Sequence, residues 1–276
     1  MTYAVQSATV RFGDTLALDD VTLVVEPGSV VAVVGGDGAG KTTLLRSLVG
    51  KVPLERGEVD APSPRSIGYL TATAGSWPSL TVAQNMDFVG GIYGLSGKTL
   101  SSRRNELLDR ASLLDVVDRL ASQLSGGMRR KLGFSMAMLH DPPLLVLDEP
   151  STGVDPVSRV DLWRLVSEAA AAGAAVVMST TYLDEAERAA NLLVLDGGRT
   201  LASGTLQEVL DSFDGIIART ATPQRRAWAW RRGRLYHECW PASAALPVDD
   251  TAVIPDLEDV VIALSLQQGH DRELAS

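Results

Sequence analysis

The feature that most constrains this chain is a glycine-rich loop that joins an apolar run to a helix start. The run Val30-Val31-Ala32-Val33-Val34 is short, β-branched and wholly apolar, which predicts a strand buried on both faces of a parallel sheet. It leads into Gly35-Gly36-Asp37-Gly38-Ala39-Gly40-Lys41-Thr42, which has the spacing G-x-x-x-x-G-K-[ST]. Glycines let successive backbone N–H groups point inward, and the N-terminus of the next helix adds partial positive charge. The loop therefore predicts a site for phosphate groups.

The side chains at the end of this loop suit a nucleotide. Lys41 would reach the β- and γ-phosphates, and Thr42 would ligate Mg²⁺ through its hydroxyl. Thr43 follows them at the helix start and belongs to the predicted nucleotide-binding set. We therefore expect a nucleoside triphosphate and Mg²⁺ at this site, and the family resemblance described below implies that the nucleotide is ATP.

Composition narrows the class of protein further. The net charge of −9 argues against a chain whose whole surface binds nucleic acid. The single cysteine, Cys239, cannot form an internal disulfide, so a reduced cytosolic setting is expected. No apolar run approaches the ~18–20 residues that span a bilayer, and the N-terminus shows no basic region followed by an apolar stretch. We expect a chain that does not enter a membrane by itself.

The order of strand and helix patterns predicts an α/β fold. Alternating segments at 3–10 and 21–26 predict a small antiparallel sheet, and 77–140 reads as an all-helical insert with helices near 82–92, 107–117 and 132–139. Further buried strands at 144–147 and 174–179 alternate with helices. The predicted fold is a P-loop ATPase core with an antiparallel β subdomain, this insert and a small C-terminal extension. The predicted domains are 1–212 and 213–276.

A second motif lies downstream of the loop, where Leu124-Ser125-Gly126-Gly127-Met128 precedes three basic residues. A serine and two glycines at a helix start expose a hydroxyl and backbone N–H groups to an anion. The segment resembles the signature motif of ATP-binding cassette (ABC) ATPases. The resemblance implies that Ser125, Gly126 and Gly127 act in trans, on the γ-phosphate held by an opposite subunit.

The apolar run 144–147 followed by Asp148 and Glu149 resembles the Walker B strand of that family. The resemblance implies that Asp148 supports Mg²⁺ through water and that Glu149 polarises the attacking water. Asp155 occupies the D-loop position, where it is both a predicted helix cap and a candidate for cross-subunit contact. Phe12 stands where the family carries an aromatic that stacks on adenine, although a strand phenylalanine is also a candidate for the core.

The sequence departs from the family pattern at three positions. Ala72 stands where a glutamine is usual, and a methyl group cannot ligate Mg²⁺ or hydrogen-bond water. Thr181 replaces the histidine of the switch segment, so it can donate a hydrogen bond but lacks the charge and reach of imidazole. Asp37 sits where asparagine is commoner. We hypothesise that the chain's own pocket binds ATP but hydrolyses it slowly, while its signature motif serves a partner's pocket.

The segment 255–264 is similar to the C-terminal segment of ATPases that drive ABC-2-type exporters, including those that move drugs. The resemblance implies an ATP-hydrolysing subunit, peripheral at the cytoplasmic face of the cell membrane. It further implies a second ATPase subunit, in a homodimer or heterodimer that closes over ATP, and an ABC-2-type membrane permease. No nucleic-acid partner is expected.

Two alternatives belong to other functional classes. One is a degenerate, nucleotide-gated half of a heterodimer that binds ATP but hydrolyses it poorly, and Ala72 and Thr181 favour it. The other is a cassette ATPase that acts on ribosomes or DNA, which would usually carry two cassettes or a long coiled coil. Neither of these features is present in the sequence, and the negative net charge gives no overall positive potential that would attract nucleic acid. The arginine-rich stretch 225–234 is either solvated or in contact with phospholipid head groups.

Overall fold

The computed structural model describes residues 1–73 and 75–275. Its strands in chain order are β1 (Tyr3–Phe12), β2 (Thr15–Val25), β3 (Val30–Val34), β4 (Arg56–Asp60), β5 (Ile67–Leu70), β6 (Leu144–Asp148), β7 (Ala175–Thr180), β8 (Asn191–Asp196), β9 (Arg199–Gly204), β10 (Gly215–Thr220), β11 (Ala229–Arg232), β12 (Leu235–Pro241) and β13 (Thr251–Val253). Its α-helices are α1 (Lys41–Leu48), α2 (Val82–Ile92), α3 (Gly97–Arg110), α4 (Gly126–Ala137), α5 (Pro156–Ala171), α6 (Leu183–Ala186), α7 (Leu206–Asp211) and α8 (Leu257–Ala275). The alternation of strands and helices confirms the predicted α/β class.

The central sheet has the strand order β5-β6-β7-β3-β8-β9, and its pairs are parallel except for β8 with β9. Strands β3, β6 and β7 are buried along their whole length, as their aliphatic sequences require of a parallel sheet covered on both faces. Because these neighbours are parallel, their carboxyl ends meet at one edge, where Asp148 pairs with Ser179 and Val34 with Thr180. In open α/β sheets this edge is where ligands bind.

Each face of the sheet has its own core. On one face Val31 and Val33 join a cluster with Leu44 and Leu45 of α1 and with the antiparallel sheet β2-β1-β4. On the other face Val30, Ala32 and Val34 belong to a larger cluster that includes residues of α5 and of the helical insert. Helix α1 is thus held between two sheets, which fixes the position of the glycine loop that precedes it.

The predicted all-helical insert is confirmed as α2, α3 and α4, but its middle helix lies earlier than expected. The pattern at 107–117 predicts one helix, whereas α3 ends at Arg110 and Ser112 adopts a φ of 55°. Leu113 after the turn is fully buried, like Leu108 before it, in the same core. The apolar spacing therefore continues across a chain reversal, because both sides of the turn pack on one surface.

The C-terminal residues form a second antiparallel sheet, β11-β12-β10-β13, followed by α8. Its buried residues Ile217 and Cys239, together with Leu257 and Val260 of α8, belong to the larger core cluster of the central sheet. The Ser265 hydroxyl of α8 also donates a hydrogen bond of 2.7 Å to Oδ2 of Asp196, at the end of β8. The C-terminal extension is therefore packed on the core of the central sheet.

One arginine of the 225–234 stretch is tied to the start of α8. Arg232 forms ion pairs with Asp256 at 2.7 Å, Glu258 at 3.1 Å and Asp259 at 3.1 Å. Asp259 is buried, and its Oδ1 also lies 2.8 Å from Nδ1 of His237.

No helix in the described part of the chain has the length and apolar character that a membrane crossing demands.

Candidate nucleotide-binding site

The glycine loop between β3 and α1 is closed on one side and open on the other. A Cβ on Gly35 would lie 2.4 Å from the carbonyl oxygen of Leu195, and one on Gly40 would lie 2.8 Å from that of Ala17. At Gly36 and Gly38 a Cβ would meet no atom within 4 Å. Gly40 also has a φ of 102°, which side chains rarely adopt. Close packing therefore holds the loop backbone at Gly35 and Gly40, while the space beside Gly36 and Gly38 is open to a ligand.

Lys41 folds its side chain back over this loop. Its Nζ donates hydrogen bonds to the carbonyl oxygens of Gly35 at 2.7 Å and Gly36 at 3.0 Å, and it lies 3.3 Å from Oε1 of Glu149. The residue is only 5% exposed. A buried ammonium needs several acceptors around it, and this one is placed where phosphate oxygens above the loop would complete its shell.

Thr42 and Asp148 meet at the carboxyl edge of the sheet. The Thr42 hydroxyl donates a hydrogen bond of 3.0 Å to Oδ1 of Asp148, and the Ser179 hydroxyl donates one of 2.9 Å to the same atom. Asp148 and Ser179 are both buried. Ser179 was not among the sequence-predicted site residues, although its place at the end of a strand beside β6 could have indicated it.

Glu149 holds its carboxylate in an unusual backbone conformation. Its φ is 47°, in a region that costs a residue other than glycine of order 1–3 kcal/mol. Two contacts hold it there: its N–H donates to Oγ of Ser179 at 2.9 Å, and its Oε2 accepts from the Thr152 hydroxyl at 3.0 Å. The carboxylate therefore stays at the mouth of the loop, within reach of Lys41, where it could orient or deprotonate a water.

Two of the three positions that depart from the family pattern, Ala72 and Thr181, contribute little to this cluster. Thr181 is exposed just after β7, and in the described residues no hydrogen bond involves its side chain. Ala72 is exposed and forms part of the wall of a cavity of about 640 Å³, shared with Arg130 and Thr152. Gln84 does not take its place, because its side chain accepts from the Thr81 N–H at 2.9 Å in the cap of α2.

The signature residues lie at the start of α4. Ser125 caps this helix by accepting a hydrogen bond of 3.2 Å from the Met128 N–H. Gly127 packs so closely that a Cβ there would lie 2.3 Å from Oγ of Ser158 on α5, whereas Gly126 is exposed. Across the residues that the structure describes, no hydrogen bond joins these three residues to the glycine loop.

The remaining predicted residues lie at the start of α5, at the end of β1, on the glycine loop and at the start of α1. Asp155 caps α5 by accepting a hydrogen bond of 3.0 Å from the Ser158 N–H, and hydrogen bonds from Ser158 lower the pKa of its carboxyl below the ordinary value. Phe12, at the end of β1, is 53% exposed and so is not a core residue. Asp37 is exposed on the loop, and Thr43 is half-buried on α1.

A buried carboxylate behind the site was missed by sequence reasoning. Glu185, 3% exposed, accepts hydrogen bonds through Oε2 from Ser151 at 2.7 Å and from Thr180 at 2.8 Å, and its Oε1 pairs with Nε of Arg159 at 3.0 Å. Arg159 also binds both oxygens of Asp184 at 2.9 Å. This Glu185 network joins the segment after β6, the end of β7 and α5. In the sequence, Glu185 lies in an acidic helix start, a pattern that indicates solvent exposure rather than burial.

A glycine loop, a buried lysine and two carboxylates at the edge of a parallel sheet, with an inserted helical subdomain, define a P-loop nucleoside triphosphatase. Residues 18–152 match the family described as ABC transporter. The Nod factor export ATP-binding protein I of Cupriavidus metallidurans is 36% identical over 78% of this chain and 75% of its own length. The chain belongs to the ATPase subunits of ABC transporters.

Other relatives and solved structures agree with this family. A daunorubicin resistance ATP-binding protein of Streptomyces coeruleorubidus is 37% identical over 74% of this chain and 67% of its own length. The probable multidrug ABC transporter ATP-binding protein YbhF of Escherichia coli is 34% identical over 73% of this chain, which spans only 37% of that protein. A structure of an ATP-binding subunit of an ABC transporter aligns with a TM-score of 0.71 at 29% identity, over 77% of this chain and 93% of that one.

Proposed function

We propose that this chain binds MgATP on its glycine loop and hydrolyses it to drive an exporter. The observation that carries the proposal is the convergence of Lys41, Thr42, Asp148 and Glu149 at one edge of the sheet. Lys41 and the loop N–H groups neutralise the phosphates, and Glu149 orients the attacking water and takes up its proton. Phe12, exposed at the end of β1, stacks on the adenine.

The residues present fit a magnesium ion. Mg²⁺ prefers hard oxygen ligands and keeps several waters, and the Thr42 hydroxyl with the Asp148 carboxylate provides such oxygens 3.0 Å apart. When bound, the ion would neutralise charge on the β- and γ-phosphates. Ser179 keeps Asp148 oriented toward this place through its 2.9 Å hydrogen bond.

In the described residues no hydrogen bond joins the signature residues to the glycine loop of their own chain, and this supports a dimer. Ser125 and Gly126 lie at an exposed helix start with no partner on the loop of their own chain in the described residues, so their anion comes from a second subunit. Two such subunits close over ATP because only the closed dimer contacts the γ-phosphate from both sides. Asp155 lies exposed beside this surface, where it can make a cross-subunit contact.

The transport direction and partner are proposed from the relatives. Nod factor export and daunorubicin resistance are functions of the relatives named above, and 255–264 has the pattern of the exporter branch. We assign to this chain an ABC-2-type permease as partner and a peripheral position at the cytoplasmic face of the membrane. In this assignment residues 1–212 are the nucleotide-binding domain and 213–276 an extension.

Ala72 and Thr181 favour a second candidate, in which the chain's own pocket turns over slowly and serves mainly to gate closure of a heterodimer. Neither side chain has a hydrogen-bonding contact with the Asp148 and Glu149 cluster in the described residues. The intact Glu149 favours hydrolysis, so the two candidates differ in rate rather than in fold.

Steady-state MgATP hydrolysis by the purified chain, measured over a range of protein concentrations, separates these candidates. Specific activity that rises with concentration and disappears in Glu149→Gln supports a homodimer that turns over. Binding of ATP without hydrolysis at any concentration supports the gated heterodimer. A chain that binds no ATP would refute both.

A further inference from the structure

Arg130 occupies a place beside the site that the mechanism above does not use. It lies one turn into α4, and its Nη1 donates a hydrogen bond of 3.2 Å to the carbonyl oxygen of Thr71, just after β5. It shares the wall of the 640 Å³ cavity with Ala72, Thr152 and Gly153. The guanidinium therefore lies beside the backbone of Thr71, the residue before Ala72, and joins the helical insert to the edge of the sheet.

The charge of Arg130 is not neutralised by an ion pair. Among the described residues no carboxylate lies within 4.0 Å of it, whereas the next residue, Lys131, pairs with Asp161 at 3.1 Å. Asp148 and Glu149 are instead held by Thr42, Ser179, Thr152 and Lys41, as described above. A guanidinium carries five N–H donors, and the described contacts use one of them. Most of its hydrogen-bonding capacity remains open toward the cavity.

The electrostatic environment of Arg130 also favours binding of an anion. Burial lowers the pKa of Arg130, and the charges of Glu149 and Asp148 act against that effect. The guanidinium is therefore partly desolvated and lies within electrostatic range of the two carboxylates at the mouth of the loop. An arginine in such a place remains charged and suits a phosphate, because its planar donors match phosphate oxygens.

We propose that Arg130 binds the terminal phosphate of a nucleoside triphosphate held by the glycine loop of the same chain. The inference rests on the proposed nucleotide site. Arg130 provides a cationic donor where Ala72 provides none, and it reaches the nucleotide from the helical insert. Because a diphosphate lacks the group that Arg130 contacts, the residue makes the site prefer ATP over ADP.

The test compares dissociation constants for MgADP and for magnesium adenylyl imidodiphosphate, a triphosphate analogue that is not hydrolysed, by isothermal titration calorimetry on the full chain. Arg130→Gln should weaken analogue binding about tenfold, as expected for loss of one hydrogen bond to a charged group, and change ADP binding less than twofold. The matched control is Arg119→Gln, which removes the same charge from an exposed arginine that does not line this cavity. It should change neither constant by more than twofold.

A purely structural role of Arg130 predicts a different result. The hydrogen bond to Thr71 joins α4 to β5, so its loss would then weaken both nucleotides equally and lower the thermal unfolding midpoint. An unchanged ratio of the two constants in Arg130→Gln would overturn the inference. Lys41→Ala serves as the second reference, since it should weaken both nucleotides. If Lys41→Ala binds MgADP and the triphosphate analogue as tightly as the unsubstituted chain does, the proposed nucleotide site is wrong. If Lys41→Ala weakens both and only Arg130→Gln has no selective effect, the inference about Arg130 alone is wrong.

Discussion

Replacing Ser179 by alanine removes the one hydroxyl that connects both carboxylate-bearing residues at the end of β6. That hydroxyl donates to Asp148 at 2.9 Å and accepts from the Glu149 N–H at 2.9 Å, in a fully buried place. A hydrogen bond to a charged group contributes about 1.5–3 kcal/mol, and an unsatisfied buried N–H costs about 1–3 kcal/mol. Because both losses occur at one atom and overlap, we expect the free energy of unfolding to fall by about 3 kcal/mol.

Urea denaturation followed by tryptophan fluorescence measures this change through linear extrapolation. Ser135→Ala is a matched control: Ser135 is also buried, but its hydroxyl only donates to the carbonyl oxygen of Lys131 at 2.9 Å, four residues earlier in the same helix. Its removal leaves no N–H unsatisfied, so we expect a loss below about 1 kcal/mol. Equal effects of the two substitutions, or a loss below about 1 kcal/mol for Ser179→Ala, would refute the reasoning.

Three further predictions concern packing, pH and turnover. Gly127→Ala should destabilise the fold by about 1–3 kcal/mol in urea, because its Cβ would lie 2.3 Å from a side chain of α5, whereas Gly126→Ala, with its nearest atom at 3.5 Å, should be close to neutral. Burial lowers the pKa of His140 below its ordinary value of 6.5, so its contribution to stability is present above that value and is lost as the pH falls toward the folded pKa. His140→Phe should therefore flatten the dependence of stability on pH below 6.5, and an unchanged slope would contradict this. Finally, Thr181→His combined with Ala72→Gln should raise the rate of phosphate release per subunit, and a rate equal to that of the parent would count against the slow-pocket proposal.

The sequence predicted the elements around the site because local patterns specify them. The Val30–Val34 strand, the glycine loop and the α5 cap at Asp155 each depend on residues that lie close together in the chain. The parallel order of β3, β6 and β7 then brings Lys41 and Asp148 to one edge without further information. This part of the site could be predicted from the sequence and the general topology of α/β sheets.

The residues that sequence reasoning missed act through contacts between distant segments. Ser179 reaches Asp148 across 31 positions, and Arg130 reaches Thr71 across 59. Nothing near Arg130 in the chain distinguishes it from the adjacent basic residues 129 and 131. Glu185 was missed for the opposite reason, because an acidic helix start is typical of a solvated surface. Only the packing of three elements around its side chain makes it a buried group.

The convergence of Ser151, Thr180 and Arg159 on the single carboxylate of Glu185 has a consequence for how the molecule opens. These donors come from the loop after β6, the end of β7 and helix α5, so the separation of any one segment leaves the buried carboxylate with fewer partners, which is costly. Their amide protons should therefore exchange with solvent through one shared opening, with a common free energy of opening, rather than by independent local fraying.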